Sequence, residues 1–317
     1  MIKSFKLSNG LIIPSDNGEN QVLLFINPDA DEKRQLLNNF EIDEHTLHSA
    51  LDPDEVSRIE FTNSGFNVIW SRPMNYSGKN NFLFNVTTAG IFLFKKQLVL
   101  VLSEEISFTG VKKVQQLDSL LDIVLNILYD TIHHYIEHLK VIRMISRELQ
   151  AKINTSLENK HLIQMFNLTE SLVYYLNGIN ANSVVLSRLK TYAEKSNYSS
   201  KFVEFIDDLV IENNQCYTQA EIYSRVLSGL MDARGNIVNN NMNMLLKNLM
   251  IITVIFLPLN LIASIGGMSE FTMMTEGIHW WVSYSFFIVS LIIIGLFTTY
   301  FLQWWTVNRK IKKSKKK

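Results

Sequence analysis

The spacing of hydrophobic positions changes character twice along this chain. Up to about residue 110, short β-branched and aromatic runs at 22–26, 56–62, 66–71, 82–87 and 98–102 predict strands. Between the first two, residues 31–40 and 43–51 predict helices, with Asp31 and Asp43 as their caps. Gly10, Gly65, Gly78, Gly90 and Gly110 and most of the prolines punctuate this part. From about residue 112 no proline occurs until Pro258, and Leu, Ile, Asn, Lys and Glu recur at helical spacing. Long helices are predicted over 114–151, 158–195 and 199–265. At 1.5 Å per residue the third would be about 100 Å long, which needs neighbours along its whole length and predicts an oligomeric stalk.

The last third turns continuously apolar. Segments 248–265 and 280–305 are near or above the ~20 residues that cross a bilayer as a helix. From 244 to 306 the only formal charges are Lys247, Glu270 and Glu276. Trp280 and Trp281 open the second segment and Trp304 and Trp305 close it, at the depths of aromatic belts. The tail 307–317 is strongly basic, which places it in the cytoplasm. Two spans then put the large N-terminal part there too, leaving 266–279 as the outer loop. The start lacks the apolar core of a signal peptide. The single cysteine, Cys216, excludes an internal disulfide and suits a reducing compartment. The glycosylation patterns at Asn75 and Asn85 then face the wrong side to be used. Overall charge is balanced, 30 basic against 30 acidic residues.

A polar stripe runs into the first span. Asp232, Asn236, Asn239, Asn243, Leu246, Met250, Thr253, Leu257, Asn260 and Ser264 share one helix face. Amides and hydroxyls in hydrocarbon need partners or water, so this face meets either another helix or an aqueous path. Leu246, Leu249, Met250 and Leu257 interrupt the stripe, as an apolar constriction that gates by dewetting or as a coiled-coil seam. In a parallel oligomer Asp232 recurs as a carboxylate ring, a selectivity device for cations. Glu270 and Glu276 make the outer loop negative, and read either as an attractor of cations or as an ordinary solvated loop. Pro258 frees the Val254 carbonyl from its usual donor. Asp207 and Asp208 read either as a solvated helix step or as oxygen ligands for a hard cation. His134-Tyr-Ile-Glu137-His138 matches a zinc-peptidase pattern, but without a third ligand it reads as a solvated helix face. No catalytic cluster is present, so an enzyme is not expected.

Three segments resemble the CorA superfamily of divalent cation transporters. They are Met244-Leu-Leu-Lys247-Asn-Leu249, Ile255-Phe256-Leu257-Pro258-Leu259 and Ile262-Ala263-Ser-Ile265-Gly266-Gly267-Met268-Ser269. The family reads Met-Lys-x-Leu-Thr, Ile-Phe-x-Pro-Leu-Thr and Ile-Tyr-Gly-Met-Asn in these places. Phe271, Met274, Thr275 and Glu276, and the segment 51–60, are also similar to it. The resemblance covers nearly the whole chain. It implies an α+β membrane protein with an N-terminal α/β cytoplasmic domain (1–112), a long-helix stalk (113–247), two transmembrane helices (248–306) and a basic cytoplasmic tail. It further implies a funnel-shaped homopentamer in the inner membrane, whose first span lines the pore and whose second faces lipid. Asn243, Leu246, Leu249, Leu257, Asn260, Gly267, Met268 and Ser269 fall on family pore positions. Asp232 falls on a stalk carboxylate, and Asp208 on an intersubunit carboxylate where cytoplasmic Mg2+ holds the closed state. The mouth departs from the pattern, with Gly266 for Tyr, Ser269 for Asn, and Glu270 beside it. The expected activity is Mg2+ transport, with Co2+, Ni2+ or Zn2+ as other cations. The alternatives are a zinc transporter of ZntB type, proton coupling, or a non-conducting membrane-anchored relative.

Overall fold

The computed structural model describes residues 1–8, 10–15, 20–40, 42–63, 65–75, 82–104, 118–155, 159–196 and 198–314; side chains at 153–155, 159, 270–272, 303 and 305–314 fall outside that description. Gly78, Gly110, the start of the helix expected from 114 and the last residues of the tail therefore lie outside it. The chain divides into two compact units, Met1–Met231 and Asp232–Lys317.

The first unit is built on a seven-stranded sheet. Its strands are β1 (Ile2–Ser8), β2 (Leu11–Pro14), β3 (Val22–Ile26), β4 (Arg58–Phe61), β5 (Phe66–Pro73), β6 (Val86–Leu93) and β7 (Leu98–Leu102). They lie in the order β2-β1-β3-β7-β6-β5-β4. Pairing is antiparallel except between β3 and β7. Strand β7 shows why the order is stable. Leu98, Leu100 and Leu102 enter one core and Val99 and Val101 the other, so both of its faces are covered.

Helices α1 (Ala30–Asn39) and α2 (Glu44–Ser49) cover one face, where Leu36, Leu47 and Ala50 pack on Phe25, Ile69 and Phe92. Asp43 caps α2 by accepting from the Thr46 amide, as expected. The cap of α1 is Asp29 rather than Asp31. Asp29 forms a capping box with Glu32, which outcompetes a start two residues later. The other face carries α3 (Leu120–Thr155) and α4 (Asn159–Lys195). Asn182 on α4, fully buried, accepts from Ser57 Oγ at 2.8 Å and donates to the Ser71 carbonyl at 2.8 Å, fixing α4 to β5. Asn213 in turn ties the next helix to α4 through Ile179 O and Ser183 Oγ.

Two strand expectations change. The hairpin β1–β2 was not expected from the pattern; the register Ser8↔Leu11 and Gly10 at φ 71° make it a tight turn. The strand expected at 82–87 begins at Val86 and runs on to Leu93. Gly90 lies inside it, not at a break. A Cβ there would stand 2.6 Å from the Ala50 Cβ, so the glycine allows α2 to approach the sheet.

Helix α5 (Ser200–Gly266) is one 67-residue helix, the length of the expected span 199–265 and displaced from it by one residue. The second unit holds its C-terminal part, a short helix α6 (Ser269–Met274) in the loop that follows, and α7 (Trp280–Ser314).

Candidate functional site

Within the second unit, the stripe and its opposite face differ in exposure. Asp232, Asn236, Asn239, Asn243, Leu246, Leu249, Met250, Thr253, Leu257, Asn260 and Ser264 are all exposed. Ile251, Ile255, Pro258, Leu259, Ile262 and Gly266 are partly covered. At about 100° per residue the two sets lie on opposite sides of α5. The covered side meets α7, since a Cβ on Gly266 would come within 2.4 Å of the Phe287 ring, and one on Gly295 would touch Leu259. On α7 the covered positions among the described residues are Ser283, Phe287, Ser290, Leu291, Ile294, Gly295, Thr298, Thr299 and Leu302, again one face. The other side of α7 displays Phe286, Ile293, Leu296, Phe297 and Tyr300 outward. An apolar surface of that extent is suited to lipid.

Four hydroxyls on these helices bond to their own backbone. Thr253 Oγ1 donates to the Leu249 carbonyl at 3.0 Å, and Ser290, Thr298 and Thr299 donate to carbonyls one turn back. Thr253 thus spends its proton on the helix and turns oxygen lone pairs outward. At the end of α5 the Gly267 amide donates to Ala263 and Ser264 carbonyls, and Met268 to Ile265. Gly267, Met268 and Ser269 are exposed at this turn. The Glu270 side chain lies outside the described residues.

Asp208 lies on α5 in the first unit, exposed. It lines a cleft with Asp118 and Asp122 at the start of α3 and Glu204 one turn before it on α5. Asp122 is partly committed, accepting from the Ser119 amide at 2.8 Å and its hydroxyl at 2.7 Å. Asp118, Asp122 and Glu204 were not singled out from sequence. The signal was there: 118/122 and 204/208 are both i, i+4 pairs, which share a face in the helices expected over 114–151 and 199–265. Asp207 instead forms an ion pair with Lys190 at 2.6 Å. Among the described residues no three His, Cys, Asp or Glu groups within one chain are placed to hold a metal.

The His134/His138 pair is not a solvated step. His138 is buried, its Nδ1 2.6 Å from the Tyr175 hydroxyl, and Phe84 meets its ring edge-on. That position shields it from any substrate.

A family model described as CorA-like Mg2+ transporter protein matches residues 22–312. The chain belongs to this family. The CorA family is one of ion transporters and not of enzymes. The cobalt/magnesium transport protein CorA of Methanocaldococcus jannaschii is 24% identical over 256 residues, 76% of this chain and 77% of that protein. The complete structure of the CorA magnesium transporter from the same organism superposes with a TM-score of 0.75 at 19% identity, covering 95% of this chain and 96% of that one. The ZntB cytoplasmic domain from Vibrio parahaemolyticus aligns with a TM-score of 0.56 at 11% identity, covering 76% of this chain and 98% of that one. The CorA fold therefore extends over both units, with two C-terminal helices long and apolar enough to span a membrane and unburied in the single chain.

Proposed function

We propose that this CorA-type divalent cation transporter works as a homopentamer in the inner membrane, with both termini cytoplasmic, and that it carries Mg2+. The observation that supports this reading most is the outward polar stripe on the side of α5 away from α7. Copies arranged around an axis would turn it into stacked rings. Residues 1–112 and 113–247 would form the cytoplasmic part, 248–306 the spans, and 307–317 a basic cytoplasmic tail near the lipid surface.

Mg2+ dehydrates reluctantly, so a path built of amides and hydroxyls suits it better than a cage of ligands. Gly267, Met268, Ser269 and Glu270 would form the mouth. Asn260, Ser264 and Thr253 would hold the hydrated ion by outer-sphere hydrogen bonds. Rings of Leu246, Leu249, Met250 and Leu257 would close the path by dewetting. Asn243, Asn239 and Asn236 would receive the ion below the gate, and the Asp232 ring would draw it onward. Cytoplasmic Mg2+ at Asp208 would hold the closed state, so that its loss opens the path by shifting populations.

A second reading is favoured by the mouth itself. Ser269 offers a shorter arm and one hydroxyl where an amide is usual, which widens the ring and weakens its hold on a hydrated ion. That supports Co2+, Ni2+ or Zn2+ as cargo, with ZntB-like use. Purified protein in liposomes, loaded with a cation-sensitive dye and challenged with Mg2+, Co2+, Ni2+ and Zn2+ at two pH values, tests both. Entry of Mg2+ foremost is expected. No entry of any of the four by intact oligomers would leave a non-conducting relative.

A further inference from the structure

Two patches of opposite charge flank the tip where α4 ends and α5 begins. The first is a groove between β4 and α4, lined by Phe61, Val184, Arg188, Tyr192 and Lys195. Phe61 stacks on Tyr192 at 4.1 Å and 15°, yet both Phe61 and Val184 remain exposed, at 40% and 55%. The groove hydroxyls Ser183, Ser187 and Thr191 donate back to their own helix, so they call for no outside acceptor. Arg188 donates one N–H to the Ile59 carbonyl at 3.4 Å, which aims the guanidinium from the sheet edge. Among the described residues neither Arg188 nor Lys195 has a carboxylate within ion-pair distance.

The second patch is the cleft between α3 and α5. Four carboxylates, Asp118, Asp122, Glu204 and Asp208, surround one ammonium, Lys201. Its floor is Leu121, Phe202 and Phe205. The two patches share no residue. Because Lys195 ends α4 and Ser200 begins α5, they sit at the same height along the helix pair. A closed ring requires two different, complementary patches at one height on every subunit. Like patches would give only a two-fold pair.

We propose that neighbouring copies of this chain dock through these two patches, with Arg188 and Lys195 of one copy entering the acidic cleft of the next and the Phe61–Tyr192 pair covering its apolar floor. The inference rests on the multi-copy reading above and deepens it. Charge nearly balances: four carboxylates against Lys201 and two incoming cations leave one net negative charge.

The test uses the full chain in detergent, sized by light scattering across a dilution series. Arg188→Glu with Lys195→Glu reverses one patch, and Asp118→Lys with Glu204→Lys reverses the other; all four are surface positions. Either reversal is expected to raise the concentration for half-dissociation at least about tenfold, and combining both to restore it to within about threefold. Higher ionic strength should loosen the wild type, because exposed pairs are screened beyond a Debye length of about 8 Å near 0.15 M. Reversals that leave a wild-type multimer intact overturn the docking mode while leaving the multi-copy reading standing. So does a combined variant that stays dissociated, or a wild type that falls apart in EDTA while the reversals hold together. A wild type that is monomeric throughout removes the reading beneath it.

Discussion

His138 carries the clearest pH consequence of any single residue. Burial between α3, α4 and Phe84, with His134 beside it, pushes its pKa down to about 3. His134 is lowered as well, by burial and by Arg72, against the opposing pull of Glu137 and Glu104. Tyr175, the hydroxyl partner, is raised by burial and stays neutral. The unfolded chain therefore takes the proton first. Stability should be full above the unfolded value near 6.5 and fall as pH drops towards about 3, by up to ~1.4 kcal/mol per pH unit for one proton. Asp130 acts the other way. Burial lifts its carboxyl to about 6, so the folded state gains a proton first and acid relieves a strain on the fold. Asp130→Asn should thus steepen the acid loss, read as a larger drop in thermal midpoint between pH 7 and pH 5 than in the wild type. An identical drop would remove this opposition. The fate of His138 was not legible in the sequence, because Phe84 and Tyr175 reach it from distant positions and period alone cannot show them.

At the scale of elements, the stripe was legible because a membrane helix leaves few polar residues to align. Its role as an outward face needed the structure, which shows α7 occupying the opposite side. The strand shift at β6 had a different cause. Gly90 looks like a break in a run of letters, while in space it is where Ala50 comes close. Gly266 follows the same logic in the second unit. The family pattern has a tyrosine there, yet a mere Cβ would stand 2.4 Å from the Phe287 ring. Phe287 of α7 thus fills the room that a larger residue on α5 would need. Gly266→Tyr should overpack this contact and cost about 1–3 kcal/mol. Adding Phe287→Ala should recover much of that loss, as read from unfolding midpoints in detergent. If Gly266→Tyr alone is as stable as the wild type, the two positions are not coupled.

At the scale of the whole molecule, family membership and fold were both within reach of the sequence, through three short segments and the order of elements. The acidic cleft was legible only in part: Asp208 and the two i, i+4 spacings are in the sequence, but the meeting of the two pairs is not. Asp118 and Asp122 stand at the start of α3 and Glu204 and Asp208 on α5, and period alone cannot show that these two helices meet there. Asp208→Asn removes one of the cleft's carboxylates and should weaken inhibition of uptake by internal Mg2+, shifting the half-inhibiting concentration upward several-fold in dye-loaded liposomes. An unchanged concentration would take Asp208 out of feedback.

The stripe has one more consequence, and it concerns biogenesis. Asn260 and Ser264 point away from α7, the helix that covers the other side of this part of α5. A lone copy inserted in a bilayer would hold the Asn260 amide and the Ser264 hydroxyl against hydrocarbon, at a cost of kcal/mol for each unmet group. If copies of this chain assemble as proposed above, insertion and assembly would be one event: a newly made subunit would become a stable membrane resident only when its sisters hide that face from lipid.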